Sequence, residues 1–155
     1  MQPFVRGFIR SSLVWLVIGL AIGISMAFAP GSHLVYRPAH VHANLLGFVS
    51  MMIFGVAYHV MPRFAGRPLP SRRLPATHLW LANGGLALMV GGWLLRPHLY
   101  APGNAALLVG TVLTTVGIAF FVWTIWKTVG GPPVGIDVPG PLTRKRPPLV
   151  QEDEG

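Results

Sequence analysis

Long apolar runs alternate with short polar connections along the chain. Four runs, at about residues 6–29, 40–61, 76–95 and 104–126, are almost free of charged side chains. Each is close to the ~20 residues that a helix needs to cross the hydrocarbon core of a bilayer. Short connections containing Pro and Gly join them, which is typical of antiparallel neighbours. The pattern predicts an all-α polytopic membrane protein, with a four-transmembrane-helix antiparallel bundle over residues 1–129.

The composition supports a membrane protein and excludes several other classes. Of the 155 residues, 52% are apolar and 10% are charged, against about a quarter charged in a soluble domain. The net charge of +8 does not indicate a nucleic-acid partner, because the basic residues are scattered between long uncharged runs rather than gathered on one face.

The basic residues are distributed asymmetrically about the predicted spans. Only Arg37 and Arg96 fall on one side, and the other ten Lys and Arg fall on the opposite side. By the positive-inside rule, both termini are predicted to be cytoplasmic, in the plasma membrane of a bacterium or archaeon. Residues 130–155, rich in Pro and Gly, are predicted to be a disordered cytoplasmic tail.

Histidine is the main residue type left for chemistry. The chain has no Cys, and all four acidic residues lie at or beyond Asp137. Thiolate zinc sites, iron–sulfur clusters and covalent haem attachment are therefore excluded, and carboxylate acid–base catalysis is disfavoured. An imidazole inside a membrane helix is costly unless it is paired, so the six His are functional candidates.

Two of these His form a pair at the outer start of the second span. His40 and His42 are two positions apart, about 200° around a helix, so their rings are expected to project to nearly opposite sides and to serve two sites. In an alternative interpretation, one caps the helix and the other meets the headgroups. His59 lies about 25 Å further along the axis, so a single cofactor cannot join it to His42.

The remaining His leave alternatives open. His59 and His78 flank the cytoplasmic hairpin, either as a second metal-ligand pair or, as we favour, as interfacial His on a basic loop. His33 and His98 lie in outer connections, where ordinary interfacial His are common.

The two outer arginines stand beside these His elements. Arg37 precedes His40 by three residues, and Arg96 precedes His98 by two. No protein acid is expected nearby, so a ligand anion is their natural partner, and haem propionates fit the bidentate geometry of Arg. The simpler alternative is that both face lipid headgroups. The glycines in the spans, Gly47 among them, allow either close helix packing or clearance for a flat macrocycle.

One segment of the second span carries a family resemblance. It reads Arg37-Pro38-Ala39-His40-Val41-His42-Ala43-Asn44-Leu45-Leu46-Gly47-Phe48 and continues to Gly55-Val56-Ala57-Tyr58-His59-Val60-Met61-Pro62-Arg63. The segment resembles the catalytic subunit of haem–copper oxidases, in the cbb3-type and nitric oxide reductase branch. The paired His, the following Gly and the Pro-Arg exit hold in register over about 27 residues.

The resemblance implies a cofactor and an arrangement. In that family the first His of the pair ligates a high-spin haem and the second a low-spin haem, which makes His40 and His42 haem-iron ligand candidates. The family's copper site needs a His-His pair, which this chain lacks, so copper is not expected. The family subunit has three arcs of four helices, and the chain is similar to one such arc, which implies association with further copies as a dimer or trimer.

These observations predict a b-type cytochrome that binds noncovalent haem b. His42 is the first ligand candidate and His40 the second, His98 lies near them, and Arg37 and Arg96 would hold propionates. The expected role is electron transfer from a respiratory-chain donor or binding of a small gas, and the sequence does not decide whether the chain is an enzyme. One alternative is a copper or zinc site made by His33, His40, His42 and His98. Another is a cofactor-free structural or assembly subunit of a respiratory complex.

Overall fold

The computed structural model describes residues 1–29 and 31–131, and these residues form helices joined by short turns. The helices are α1 (Pro3–Phe28), α2 (Ser32–His42), a π-helical segment (Ala43–Ser50), α3 (Met51–Phe64), α4 (Arg73–Leu95) and α5 (Tyr100–Val129). The predicted tail falls almost wholly on residues 132–155, which lie outside the described residues.

Four helices in the described part of the chain are long and apolar enough to cross a membrane. They are α1, α4, α5 and the continuous helix Ser32–Phe64, which comprises α2, the π segment and α3. The prediction of an all-α protein with four membrane-spanning helices is confirmed. The outward faces carry large exposed apolar side chains such as Leu13, Val17 and Leu108, as a bilayer environment requires.

The helices alternate in direction, so that the bundle has two chemically different ends. At the basic end, α1 and α4 begin and α3 and α5 finish. Seven of the nine Lys and Arg in the described residues lie there, and only Arg37 and Arg96 lie at the opposite, distal end. The asymmetry agrees with the predicted topology, and the cytoplasmic placement of the termini stays a prediction.

Glycines set the close approach of α4 and α5. A Cβ added to Gly92 would lie 2.8 Å from the backbone oxygen of Gly103, and one added to Gly85 would lie 2.8 Å from that of Gly110. Gly84 and Gly91 have no such neighbour within 4 Å in the described structure. Small residues therefore serve helix packing on one face of α4 only.

The core runs along the centre of the bundle between α1, α3 and α4. Its buried apolar side chains are Phe4, Val5, Phe8, Trp15, Ile22, Ala39, Ala43, Met51, Tyr58, Ala82, Leu86 and Val90. Aromatic rings concentrate at the basic end, where Phe4 and Phe8 of α1 pack on Tyr58 of α3.

Candidate functional site

The His40–His42 pair lies inside a helix rather than at its start. Helix α2 begins at Ser32, eight residues before His40, and continues through Pro38. The helix thus begins before the predicted span of about residues 40–61, because an apolar run measures the hydrocarbon core and a helix can extend beyond it into the polar interface; the span boundary itself stays a prediction. The π-helical segment follows His42 directly, and π segments occur frequently at functional sites.

His42 faces α4. Its Nδ1 lies 2.7 Å from the carbonyl oxygen of Pro38, one turn earlier, and its ring stacks on Trp93 at 6.4 Å between centroids and 29° between planes. A carbonyl only accepts hydrogen bonds, so Nδ1 carries the proton and Nε2 keeps a lone pair. No described residue hydrogen-bonds that Nε2.

His40 faces α1 instead. Its Nδ1 lies 2.8 Å from the carbonyl oxygen of Gly19, and a Cβ added to Gly23 would lie 2.9 Å from its Cε1. The two rings thus contact different helices, in agreement with the 200° separation expected from their spacing. His40 also donates through Nδ1 and keeps its lone pair on Nε2, with no hydrogen-bond partner among the described residues.

The arrangement of His40 and His42 provides one possible metal ligand on each of two faces of the same helix. A metal-bound His ordinarily donates its other ring N–H to a carbonyl or carboxylate, which fixes the tautomer and the ring orientation. Both His40 and His42 have that bond in place. Each ring is therefore suited to ligating a haem iron on its own face of the helix.

A four-His copper or zinc centre is not assembled in the described part of the chain, where no three His, Cys, Asp or Glu side chains come together to hold a metal ion. His33 is exposed at the start of α2. His98 is exposed and pairs through Nε2 with the Tyr36 hydroxyl at 3.0 Å. His40 and His42 diverge, so this alternative fails for a single chain.

The two distal arginines differ in their surroundings. The Arg96 guanidinium lies over the rings of Trp93 and Tyr100, at 5.4 and 5.2 Å from their centroids. With Pro38 and Trp93 it lines a distal cleft of about 380 Å³. Trp93 and Pro38 are also the contacts of His42, so Arg96 and His42 share neighbours. Arg37 is exposed, and no described residue carries an acidic side chain to pair with either arginine.

Gly47 serves helix packing in this structure. It lies in the π segment, and a Cβ there would be 2.5 Å from Cβ of Trp15 and 3.0 Å from Leu86. Trp15 is held in turn by a hydrogen bond from its indole nitrogen to Asn83, at 3.2 Å. In the single chain the space beside Gly47 is filled by protein, which favours the helix-packing alternative, and a role of Gly47 beside a cofactor stays a prediction.

His78 was misjudged from the sequence. It has no solvent-exposed surface, so the interfacial interpretation is wrong for this residue. Its ring is enclosed by aromatic side chains from α1, α3 and α5, namely Phe8, Phe54, Tyr58 and Phe121. Nδ1 lies 3.0 Å from the Tyr58 hydroxyl, and Nε2 is buried without a hydrogen-bond partner in the described structure.

His59 and His78 have different surroundings, and their pairing as metal ligands stays an untested alternative. His59 lines a cleft at the basic end, while the Nδ1 of His78 is taken by Tyr58. The sequence did contain one signal for the aromatic surroundings of His78, since Phe54 and Tyr58 are four residues apart and so share a helix face.

The fold and the site define a helical membrane-spanning bundle with paired distal imidazoles, and comparison with known proteins adds a family likeness. No known family model matches the sequence. Subunit CcoN1 of the cbb3-type cytochrome c oxidase of Stutzerimonas stutzeri is 44% identical over 52 residues, or 33% of this chain and 11% of that protein. Cytochrome c oxidase subunit 1 of Rhodobacter capsulatus is 44% identical over 50 residues, or 32% of this chain and 9% of that protein.

The chain thus contains a haem–copper oxidase-like region and spans about a tenth of the length of the curated relatives it matches. The predicted resemblance to that class of subunit is confirmed for this region. The finer interpretation, that the chain is one four-helix unit of such a subunit, stays a prediction.

Proposed function

We propose that this protein is a membrane b-type cytochrome that binds noncovalent haem at its distal end, with His42 as the first candidate for an iron ligand and His40 as the second candidate. The observation that carries the proposal is the hydrogen bonding of the two rings. Both Nδ1 atoms donate to backbone carbonyls, which leaves two oriented Nε2 lone pairs on two faces of one helix. The similarity to respiratory oxidase subunits supports the same cofactor.

Haem iron, when bound, supplies one-electron transfer or the binding of a small gas such as O₂ or NO. The protein residues have simpler tasks. The hydrogen bond to Pro38 orients the His42 ring, and Trp93 lies roughly parallel to it at 6.4 Å between centroids. Arg96 and Arg37 are the cations available to haem propionates at this end, and copper is not part of the proposal.

A homo-oligomer completes this proposal. His40 is pressed against α1, and the cleft beside Trp93 and Arg96 is open on its outer side, so one chain does not enclose a haem by itself. A second copy, in a dimer or trimer, would supply the missing wall and a further iron ligand. The expected electron donor is a component of a respiratory chain.

The test is an optical spectrum of the protein expressed with an adequate haem supply and purified in detergent. We expect a Soret band, together with α and β bands that sharpen on reduction, and loss of most of the Soret absorbance in His42→Ala. His33→Ala, a change at an exposed position of the same helix, is the matched control and should keep the full spectrum. His40→Ala should lose part of the absorbance or shift the bands.

Two outcomes would contradict the proposal. A colourless protein of normal helicity and normal size would favour a structural subunit, and stoichiometric zinc or copper in it would favour a metal-binding protein. Equal absorbance in His42→Ala and in the wild type would remove His42 as a ligand. Size-exclusion chromatography coupled to light scattering tests the oligomer separately. A fully haem-loaded monomer would contradict the proposed homo-oligomer.

A further inference from the structure

The basic end contains a cleft that the proposed haem site does not use. It encloses about 840 Å³ and is open to the outside. It lies between the start of α1, the end of α3 and the turn that leads to α4. Its lining residues are Met1, Gln2, Pro3, Tyr58, His59, Pro62, Arg63, Gly66, Arg67, Pro68, Leu69 and Arg72.

The positions of two of the three arginines of this cleft follow from the way α3 ends. Gly66 adopts a left-handed φ of +61°, its N–H donates to the carbonyl of Arg63, and the N–H of Arg67 donates to that of Pro62 at 2.9 Å. These two bonds form a Schellman motif, which fixes the direction of the chain as it leaves the helix. Arg63 and Arg67 are thereby placed on one side of the turn, and Arg72 follows directly before α4.

The positive charge of the cleft has no protein counterpart among the described residues. Every acidic side chain of the sequence lies at or beyond Asp137. Arg63 uses Nη1 to donate to the carbonyl of His59, a neutral acceptor. The Nη1 of Arg67 is buried beside Gly131 and has no hydrogen-bond partner in the described structure. Because Arg67 also lines the cleft, an anion bound there would give its guanidinium a charge partner and so stabilise the protein.

The location selects the kind of anion. The cleft lies at the ends of membrane-spanning helices, at the level where lipid headgroups meet the protein, and Arg binds phosphate oxygens in a bidentate manner. Basic pockets at the ends of membrane helices are suited to anionic headgroups. Apolar side chains on the rim, such as Leu69 and Pro62, would contact the glycerol and the first part of the acyl chains.

We propose that the basic-end cleft binds the phosphate of an anionic phospholipid headgroup between Arg63, Arg67 and Arg72. This cleft shares no residue with the distal haem site, and the two proposals do not depend on each other.

The experiment measures binding to the full chain in neutral detergent by native mass spectrometry. The probes are dioctanoyl phosphatidylglycerol, the zwitterionic dioctanoyl phosphatidylcholine and inorganic phosphate. We expect one saturable phosphatidylglycerol per chain, with at least tenfold weaker binding of phosphatidylcholine. The triple variant Arg63→Gln, Arg67→Gln, Arg72→Gln should weaken phosphatidylglycerol binding about tenfold or more, because charge-assisted hydrogen bonds are lost.

The chain offers a control of equal charge. The variant Arg144→Gln, Lys145→Gln, Arg146→Gln also removes three positive charges, so a general charge effect would weaken binding equally in both variants and would overturn the proposal. Arg67→Lys, which keeps the charge and loses the bidentate donor, should retain the fold and bind severalfold more weakly than the wild type. Circular dichroism and elution volume check that each variant is folded.

Two further outcomes would count against a lipid. Inorganic phosphate that binds as tightly as phosphatidylglycerol would assign the cleft to a free anion. Tighter lipid binding by about tenfold on Glu152→Gln, Asp153→Asn, Glu154→Gln would assign the cleft to this chain's own acidic segment.

Discussion

The distal histidines and His78 show two ways in which a membrane helix accommodates an imidazole. His40 and His42 are half-buried, and each donates Nδ1–H to a backbone carbonyl, so that Nε2 is left for a ligand. His78 is completely enclosed, and its Nδ1 pairs with the Tyr58 hydroxyl inside a ring of aromatic side chains. The distal rings are oriented and reachable, whereas the His78 ring is oriented and sealed.

The difference lies in what surrounds the second nitrogen. A cofactor needs a lone pair that it can approach, and α2 offers two of these at half-buried positions. At His78 the neighbours Phe8, Phe54 and Phe121 leave no such approach. The accessibility of Nε2 therefore distinguishes the proposed ligands His40 and His42 from His78.

The largest stability effect is expected at the sealed histidine. His78→Ala empties the aromatic cage and leaves the Tyr58 hydroxyl without its partner, which should lower the free energy of unfolding by about 2–4 kcal/mol. Denaturation in mixed micelles measures this value, and His33→Ala should change it by less than about 0.5 kcal/mol. An unchanged stability together with lost haem absorbance would make His78 a ligand and break the comparison.

A smaller effect is expected at the partner of His78. Tyr58→Phe keeps the ring contacts and removes only the hydroxyl, so the buried Nδ1 loses its hydrogen bond at a cost of about 1–2 kcal/mol. The same denaturation assay applies, with Tyr100→Phe at an exposed position as the control. If both variants match the wild type, the Tyr58–His78 bond does not stabilise the core.

The contact of His40 with α1 can be tested by adding one methyl group. Gly23→Ala places Cβ at 2.9 Å from Cε1 of His40, so the ring or the helix must shift, at a cost of about 1 kcal/mol. Gly84→Ala is the matched control, since nothing in the described structure lies within 4 Å of its Cβ, and it should be neutral or slightly stabilising. Equal stability of the two variants would show that His40 is not confined by α1.

The smallest effect is expected at the exposed pair of the distal loop. Tyr36→Phe removes the hydroxyl that contacts His98, and it should change the free energy of unfolding by less than about 0.5 kcal/mol because water replaces the bond. A loss above about 1 kcal/mol would show that this pair is buried in the assembled protein, for example between copies.

The sequence predicted the helices better than the contacts between them. Uninterrupted apolar runs define membrane spans because the bilayer core excludes charge, and all four spans were found in this way. The helices are apolar on nearly every face, so periodicity does not tell which face meets a neighbour. The enclosure of His78 could not be predicted for that reason, nor could the choice of Gly85 over Gly84 for packing on α5.

The candidate site was predicted in part. The spacing of His40 and His42 gave their divergence, because only the helical repeat is needed for that inference. The bond from His40 to Gly19 depends on how α1 and α2 pack, which no local pattern contains. Arg96 was identified by its place in the chain, but its contact with Trp93 and Tyr100 is a matter of side-chain packing.

The π-helical segment gives the second span a shift in helical phase. A π turn closes its hydrogen bond over one more residue than an α turn. The wide turns at Ala43–Ser50 therefore change the angle, measured around the helix axis, between the distal histidines and Tyr58 from the angle that an uninterrupted α-helix would give. Deleting one residue within this segment would turn the two halves by about 100° against each other if the wide turns stayed in place, and would largely keep their relative orientation if the segment returned to ordinary α-helical winding. The orientation of His40 and His42 relative to the aromatic core therefore depends on the winding of this eight-residue segment. None of its residues needs to touch a cofactor for that effect.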